Sequence, residues 1–236
     1  MDAELQKVGE ASIAKLGARA AEVHALLAAN FPQKSLADVS AAFEAVAANG
    51  EPNANVIKVD ALLREQAAQA IEDIKAAELY ISIKTPEIAD GNNFGCEVQS
   101  FIQGELVKLR GAEGLASIMD VASAYHLARA ATLEKIVKRP TTTSDEETKV
   151  EVDEGKTTNK KTTSTKQSSS QSAPLADYVK YIAALDTKEY HACYTKLVDV
   201  RNAYLKADLL LSKNAKRLAD PRGDGEGSSS NYTSMF

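Results

Sequence analysis

Tryptophan is absent from this 236-residue chain, cysteine occurs twice, and aromatic residues make up 6% of it. Two thiols, Cys96 and Cys193, cannot staple a small secreted fold, and they have none of the CxxC spacing of a zinc or redox site; a reducing compartment is expected. Positive charge is not in excess either: 28 Lys and Arg stand against 33 Asp and Glu, a net charge of −5. Nonspecific nucleic-acid binding needs a basic stripe that releases counterions from phosphate, so no nucleic-acid partner is expected. No apolar run approaches the about 18 residues of a membrane span, and no basic, apolar leader follows Met1. Neither membrane insertion nor secretion is expected, and the cytoplasm or nucleus is the expected location. The glycosylation pattern Asn231, Tyr232, Thr233 would then not meet its machinery.

Catalytic constellations are equally scarce. His24, His126 and His191 are scattered, and the pairs Glu22/His24 and Glu189/His191 sit two apart, which puts their members on different helix faces. Di-iron bundles need Glu and His three apart on facing helices. No glycine-rich phosphate loop, GxSxG elbow or HExxH motif is present. Cys193 falls on an apolar seam and Cys96 beside a loop, both read as packing residues. The expectation is a protein that is not an enzyme, with no metal and no cofactor.

What the chain does have is helix. Apolar residues make up 44% and charged residues 26%, ordinary for a soluble domain, and alanine dominates the periodic stretches, which favours an all-α fold over a sheet. A first helix is expected from about Asp2 to Ala29, with Leu5, Val8, Leu16, Val23 and Leu27 on one stripe, ending at Asn30 before Pro32. A short helix from Ser35 to about Ala48 carries Leu36, Val39 and Phe43, and Asn49, Gly50, Glu51 and Pro52 break it. The second long helix, Ala54 to Lys84, sets Val56, Leu63, Ala70 and Ala77 on one heptad position and Ala67, Ile74 and Ile81 on another. At 1.5 Å per residue it is about 45 Å long, so the bundle is elongated.

The third helix is expected from Gly95 to about Lys138, with Val98, Ile102, Leu109, Ala116, Met119, Ala130, Leu133 and Val137 on its seam. Gly104, Gly111 and Gly114 each cost roughly 1 kcal/mol relative to Ala, so a bend or local break is expected between Gly111 and Gly114. The fourth has its core at Cys193, Leu197, Val200, Tyr204, Ala207, Leu211 and Leu218. Asp186 followed by Glu189 resembles a capping box, which would make Leu175 to Leu185 a separate short helix. Leu62, Ile118 and Tyr125 lie off the seam and are expected to pack laterally against neighbouring subunits. Residues 141–172, rich in Thr, Ser and Lys with Val150 and Val152 as their bulky apolar residues, are expected to be disordered, either a solvated spacer or an adaptor-binding or substrate-screening loop.

The segment from Thr85 to Gly95 interrupts two helical patterns with a proline, then Asp90, Gly91, Asn92 and Asn93, residue types that tolerate left-handed backbone. Its run Pro86, Glu87, Ile88, Ala89, Asp90, Gly91, Asn92, Asn93, Phe94, Gly95, followed by Cys96, Glu97, Val98 and Gln99, resembles the activation loop of the 11S regulator (REG) family of proteasome activators. Further words of that family fall in order: Phe31, Pro32, Gln33, Lys34 after the first helix, Val200, Arg201, Asn202, Ala203, Tyr204 in the last, then Lys213 and Asn214, and Pro221, Arg222, Gly223. Ala89 stands where the family has Glu, and the insert of some relatives between helices one and two is replaced by one between three and four.

The resemblance implies an up-and-down four-helix bundle over residues 1–222 that assembles into a seven-membered ring, with loop 85–95 at one end, the insert at the other, and a flexible docking tail at 223–236. It implies docking on the α-ring of the 20S proteasome and opening of its gate without ATP. The tail residues Ser234, Met235 and Phe236 would dock, with the terminal carboxylate paired to a lysine. The loop residues Pro86, Ile88, Asp90, Gly91, Asn92, Asn93, Phe94 and Gly95 would hold the gate open. The competing reading is a helical adaptor or scaffold with an unrelated partner, in which the loop and the insert serve as ordinary binding segments; taken alone, the loop also fits an ordinary connection between two helices.

Overall fold

A computed structural model describes residues 2–32, 35–87, 93–137 and 173–223. Among these there is no strand. The helices are α1 (Asp2–Asn30), α2 (Leu36–Ala48), α3 (Ala54–Lys84), α4 (Phe94–Arg110), α5 (Val121–Val137), α6 (Ala173–Lys213) and α7 (Ala215–Ala219), with a 3-10 helix at Leu115–Asp120 between α4 and α5.

The seams of α3 explain the architecture. Val56, Leu63, Ala70, Ala77, Ala67, Ile74 and Ile81 are all buried, and small alanines in this row let the backbones of α1 and α6 approach closely. Gly9 of α1 sits against Tyr80 of α3 with no room for a side chain. Farther along, Arg19 faces Asp73 at 3.6 Å, so α1 and α3 run antiparallel. Gly17 lies beside Asp208 and the Tyr190 hydroxyl donates to the Asn30 carbonyl at 2.9 Å, which makes α1 antiparallel to α6. On the other side of α3, Arg110 of α4 forms a bidentate pair with Glu78 at 2.6 and 3.0 Å. The result is an up-and-down four-helix bundle in which α4, the 3-10 helix and α5 together make the third rod.

That rod is broken more fully than a bend. Gly114 sits where a Cβ would collide with the Leu109 carbonyl, and its amide instead bonds the Gly111 carbonyl at 2.9 Å. The 3-10 turn after it resets the helical phase. A seam carried straight across it lands on Met119 and Ala130, which are exposed, whereas Ile118 and Tyr125 are buried in the core. Ile118 and Tyr125 therefore do not face neighbouring subunits. Val8 on α1 is likewise exposed, because the face of α1 that packs on α3 and α6 runs through Gly9, Ile13, Leu16, Ala20, Val23 and Leu27, one position off Val8.

The capping box at Asp186 is a second correction. α6 is continuous from Ala173 to Lys213, and Asp186 is fully buried. Its carboxylate accepts from the Tyr125 hydroxyl at 2.8 Å, from Arg129 Nε at 3.1 Å and from Asn53 Nδ2 at 3.1 Å. Arg129 also donates to the Glu51 carbonyl, and the Asn53 Oδ1 caps α3 through the amides of Asn55 and Val56. One buried anion thus joins α3, α5 and α6 at one end of the bundle, its charge balanced by Arg129. The insert at 141–172 lies outside the described residues, but the α5 and α6 ends that flank it extend past this cluster, away from the end where α3 gives way to loop 85–95.

Candidate functional site

At the opposite end, α3 stops where its sequence dictates. Thr85 is extended (ψ 119°), the conformation a residue before proline prefers, and its hydroxyl bonds the Ile81 carbonyl at 2.9 Å. Pro86 is half-buried and Glu87 exposed. Ile88, Ala89, Asp90, Gly91 and Asn92 lie outside the described residues, as do Ser234, Met235 and Phe236. The chain re-enters helix at Asn93, whose carbonyl accepts the Glu97 amide at 3.0 Å, and Phe94 and Gly95 form the first turn of α4.

Both flanks of this loop are held by the last described stretch of the chain. Lys213 ends α6, and Asn214 breaks the helix by turning its side-chain amide back to the Leu210 carbonyl at 2.8 Å. The short α7 then buries Leu218. Beyond it, Arg222 donates from a guanidinium nitrogen to the Glu87 carbonyl at 2.7 Å, on the entry side of the loop. On the exit side, the guanidinium of Arg217 lies 4.7 Å from the centroid of the Phe94 ring, a cation–π distance. Gly95 is buried against Pro221, where any Cβ would overlap the Pro221 carbonyl. Behind the loop, the fully buried Gln99 donates to the Leu218 carbonyl at 3.1 Å and to the Lys84 carbonyl at 3.4 Å, linking α4 to the ends of α3 and α7.

Of the described residues in the activation-loop resemblance, Glu87, Phe94 and Gly95 therefore touch the segment that leads to the tail, while Pro86 and Asn93 end the flanking helices beside them. Sequence patterns assign Arg217, Arg222 and Gln99 no part here. Two of them stand within the family's words, Arg222 beside Pro221 and Gln99 at the start of α4. Their role depends on contacts across 135 and 119 residues, which no local pattern reveals.

The structure also brings together side chains far apart in sequence. Asp60, Glu189 and Cys193 place ligand-type atoms within 4.8 Å of one another, all three buried. The Arg64 guanidinium pairs with Asp60 at 2.7 Å, so a cation already occupies the electrostatic role there. Burial, then the charges of Glu189 and Asp60, push the Cys193 thiol up to about 12, which keeps it protonated at neutral pH and a poor nucleophile. His24 lies beside Arg201, with 3.4 Å between ring and guanidinium. None of these arrangements couples a nucleophile to a base. No helix among the described residues is long and apolar enough to cross a membrane.

The sequence matches the family described as proteasome activator PA28, C-terminal, over residues 50–168 and 165–228. It is similar to the proteasome activator complex subunit 3 of Pongo abelii, 24% identical over 199 residues that cover 81% of this chain and 64% of that protein. The chain thus spans just under two thirds of the length of that relative. Among solved structures, the bundle is similar to the 11S subunit of the Plasmodium falciparum proteasome, PA28, with a TM-score of 0.51 and 24% identity, covering 73% of this chain and 60% of that one. It is also similar to a chain in the structure of an archaebacterial 20S proteasome–PA26 complex, with a TM-score of 0.55 and 16% identity over 95% of this chain and 93% of that one. At these identities the two structures establish the fold.

Proposed function

Because this chain belongs to the proteasome activator PA28 family, we propose that it is an ATP-independent activator of the 20S proteasome, working as a ring of seven copies that catalyses nothing itself. The observation that carries this reading is the meeting of two segments at one end of the bundle. The activation-loop flanks and the exit toward the C-terminal tail touch each other through Arg222, Arg217 and Pro221. A single face can then dock and open.

The division of labour follows from physics. One tail ending in Ser234, Met235 and Phe236 makes a weak contact with a pocket of the proteasome α-ring. Seven tails on one rigid body raise the effective concentration of each and turn weak contacts into avidity. Docking alone does not open a gate: the loop centred on Asp90, Gly91, Asn92 and Asn93 must contact the open arrangement better than the closed one, which is what shifts the population. Two unpaired thiols suit a cytoplasmic or nuclear site of action.

The test is hydrolysis of fluorogenic peptides by latent 20S proteasome without ATP, beside a binding measurement. The parent chain is expected to stimulate. Deleting Met235 and Phe236 should abolish binding and stimulation together. Asn92→Tyr puts a bulky ring where the Asp90, Gly91, Asn92, Asn93 pattern favours a small amide; it should bind, fail to stimulate, and compete with the parent. A parent chain that neither binds nor stimulates would leave the adaptor reading in its place.

A further inference from the structure

We propose that the C-terminal exit segment, residues 214–223, is a strut that sets the position of the activation loop, with Arg222 and Gly95 as its positioning residues; this rests on the activator reading above. A loop that must discriminate two states of a partner has to be held at its ends, or its contacts are lost to its own freedom. α3 and α4 fix those ends only in part, since each leaves its last carbonyls or first amides without intrahelical partners.

The exit segment braces both sides with contacts of its own. Arg222 takes the Glu87 carbonyl on the entry side of the loop, and Arg217 and Pro221 take Phe94 and Gly95 on its exit side. Gln99 closes the triangle by donating to carbonyls at the ends of α3 and α7 at once. The closeness of Gly95 to the Pro221 backbone is a contact that only glycine permits, so the register between α4 and the exit segment is fixed to within a methyl group. α7, with five residues, is too short to persist alone. Its place comes from burial of Leu218 and from these contacts, so the strut and the loop flanks are ordered by the same set of interactions. The tail begins directly after Gly223, so the segment that docks and the segment that opens share one anchor.

Three full-length variants test this, each measured for half-maximal concentration and maximal stimulation with 20S proteasome, and for amide exchange of residues 93–99 without it. Arg222→Ala is expected to leave the half-maximal concentration within about two-fold while maximal stimulation falls by about five-fold or more, as when differential contact with the open state is lost. Exchange at 93–99 should rise while the thermal midpoint of the bundle stays put. Arg222→Lys, which still donates one N–H to the Glu87 carbonyl, should recover most of the stimulation. Gly95→Ala should reproduce the Arg222→Ala split by forcing Pro221 away. Unchanged stimulation and exchange in Arg222→Ala would overturn the strut, as would a parallel loss of binding, which would make Arg222 a docking residue. If the parent binds without stimulating, the activator reading falls, and the exchange measurement still decides whether the exit segment holds the loop.

Discussion

Glu189 is buried in the α3–α6 interface with one carboxylate oxygen lacking a hydrogen-bond partner, beside an Asp60 whose charge is taken up by Arg64. Burial first, and the negative charge of Asp60 second, raise the pKa of Glu189 above its ordinary value. A carboxyl whose folded pKa is raised binds its proton more tightly in the folded than in the unfolded state. Its favourable contribution is full below the unfolded pKa of about 4.3 and is lost as pH rises through the folded value. At neutral pH the residue is therefore a liability of the fold. Glu189→Gln keeps the shape and removes the charge, and it is expected to stabilise the protomer by about 1 kcal/mol at pH 7–8, with the advantage vanishing near pH 4. Thermal unfolding of both proteins across this range checks it; destabilisation by Gln at pH 8 would mean that the carboxylate is engaged as an anion. Asp186 is the contrasting case, a buried carboxylate with three donors, whose hydrogen bonds with Tyr125 and Arg129 hold α5 against α6.

That contact decides what the insert is worth. Because α5 and α6 are fixed to each other by Asp186 and by packing of Leu133 and Val179 with the cluster of Ala47, Ile182 and Ala183, the connection between them need only be long enough. Removing residues 144–170 is expected to leave the oligomeric state unchanged and stimulation of short peptides within about two-fold, since loop-closure entropy varies slowly with length. A folded deletion variant that no longer stimulates would give the insert a direct role. The same elements show how far sequence patterns reach. α3 is legible to its bounds, because unbroken heptads, Asn53 before it and Pro86 after it all agree. The third rod is legible as helix but not in its facing, since the 3-10 turn at Leu115–Asp120 rotates α5 relative to α4 and exchanges Met119 for Ile118. Asp186 is misread because a cap and a buried hub place the same residue in the same short pattern, and only Tyr125, Arg129 and Asn53, all distant in sequence, distinguish them. At the candidate site, the interruption between α3 and α4 is legible from Pro86 and Gly95, whereas the contacts of Arg217, Arg222 and Gln99 that flank it are not.

The whole molecule presents more apolar side chain than one bundle needs. Phe101, Leu127, Leu205 and Leu209 are exposed by 63%, 73%, 42% and 50%, alongside Val8, Val107 and Tyr181. Single exposed apolar residues are ordinary, but so many on several rods of an elongated bundle suit lateral burial between copies. Opposing this is charge: each protomer carries a net −5, and seven around a ring repel one another. Repulsion between exposed charges is screened over about 10 Å at 0.1 M salt, whereas burial of apolar surface is not weakened by it. The two forces therefore predict a sign. Sedimentation velocity over a protein concentration series should show a species of about seven protomers, and raising salt from about 0.02 to 0.3 M should shift the monomer–ring equilibrium toward the ring. Ion pairs as the main adhesive would give the opposite trend, with the ring dissociating as salt rises. A chain that stays monomeric at every salt and protein concentration would remove the ring, and with it the avidity on which docking by seven weak tails depends.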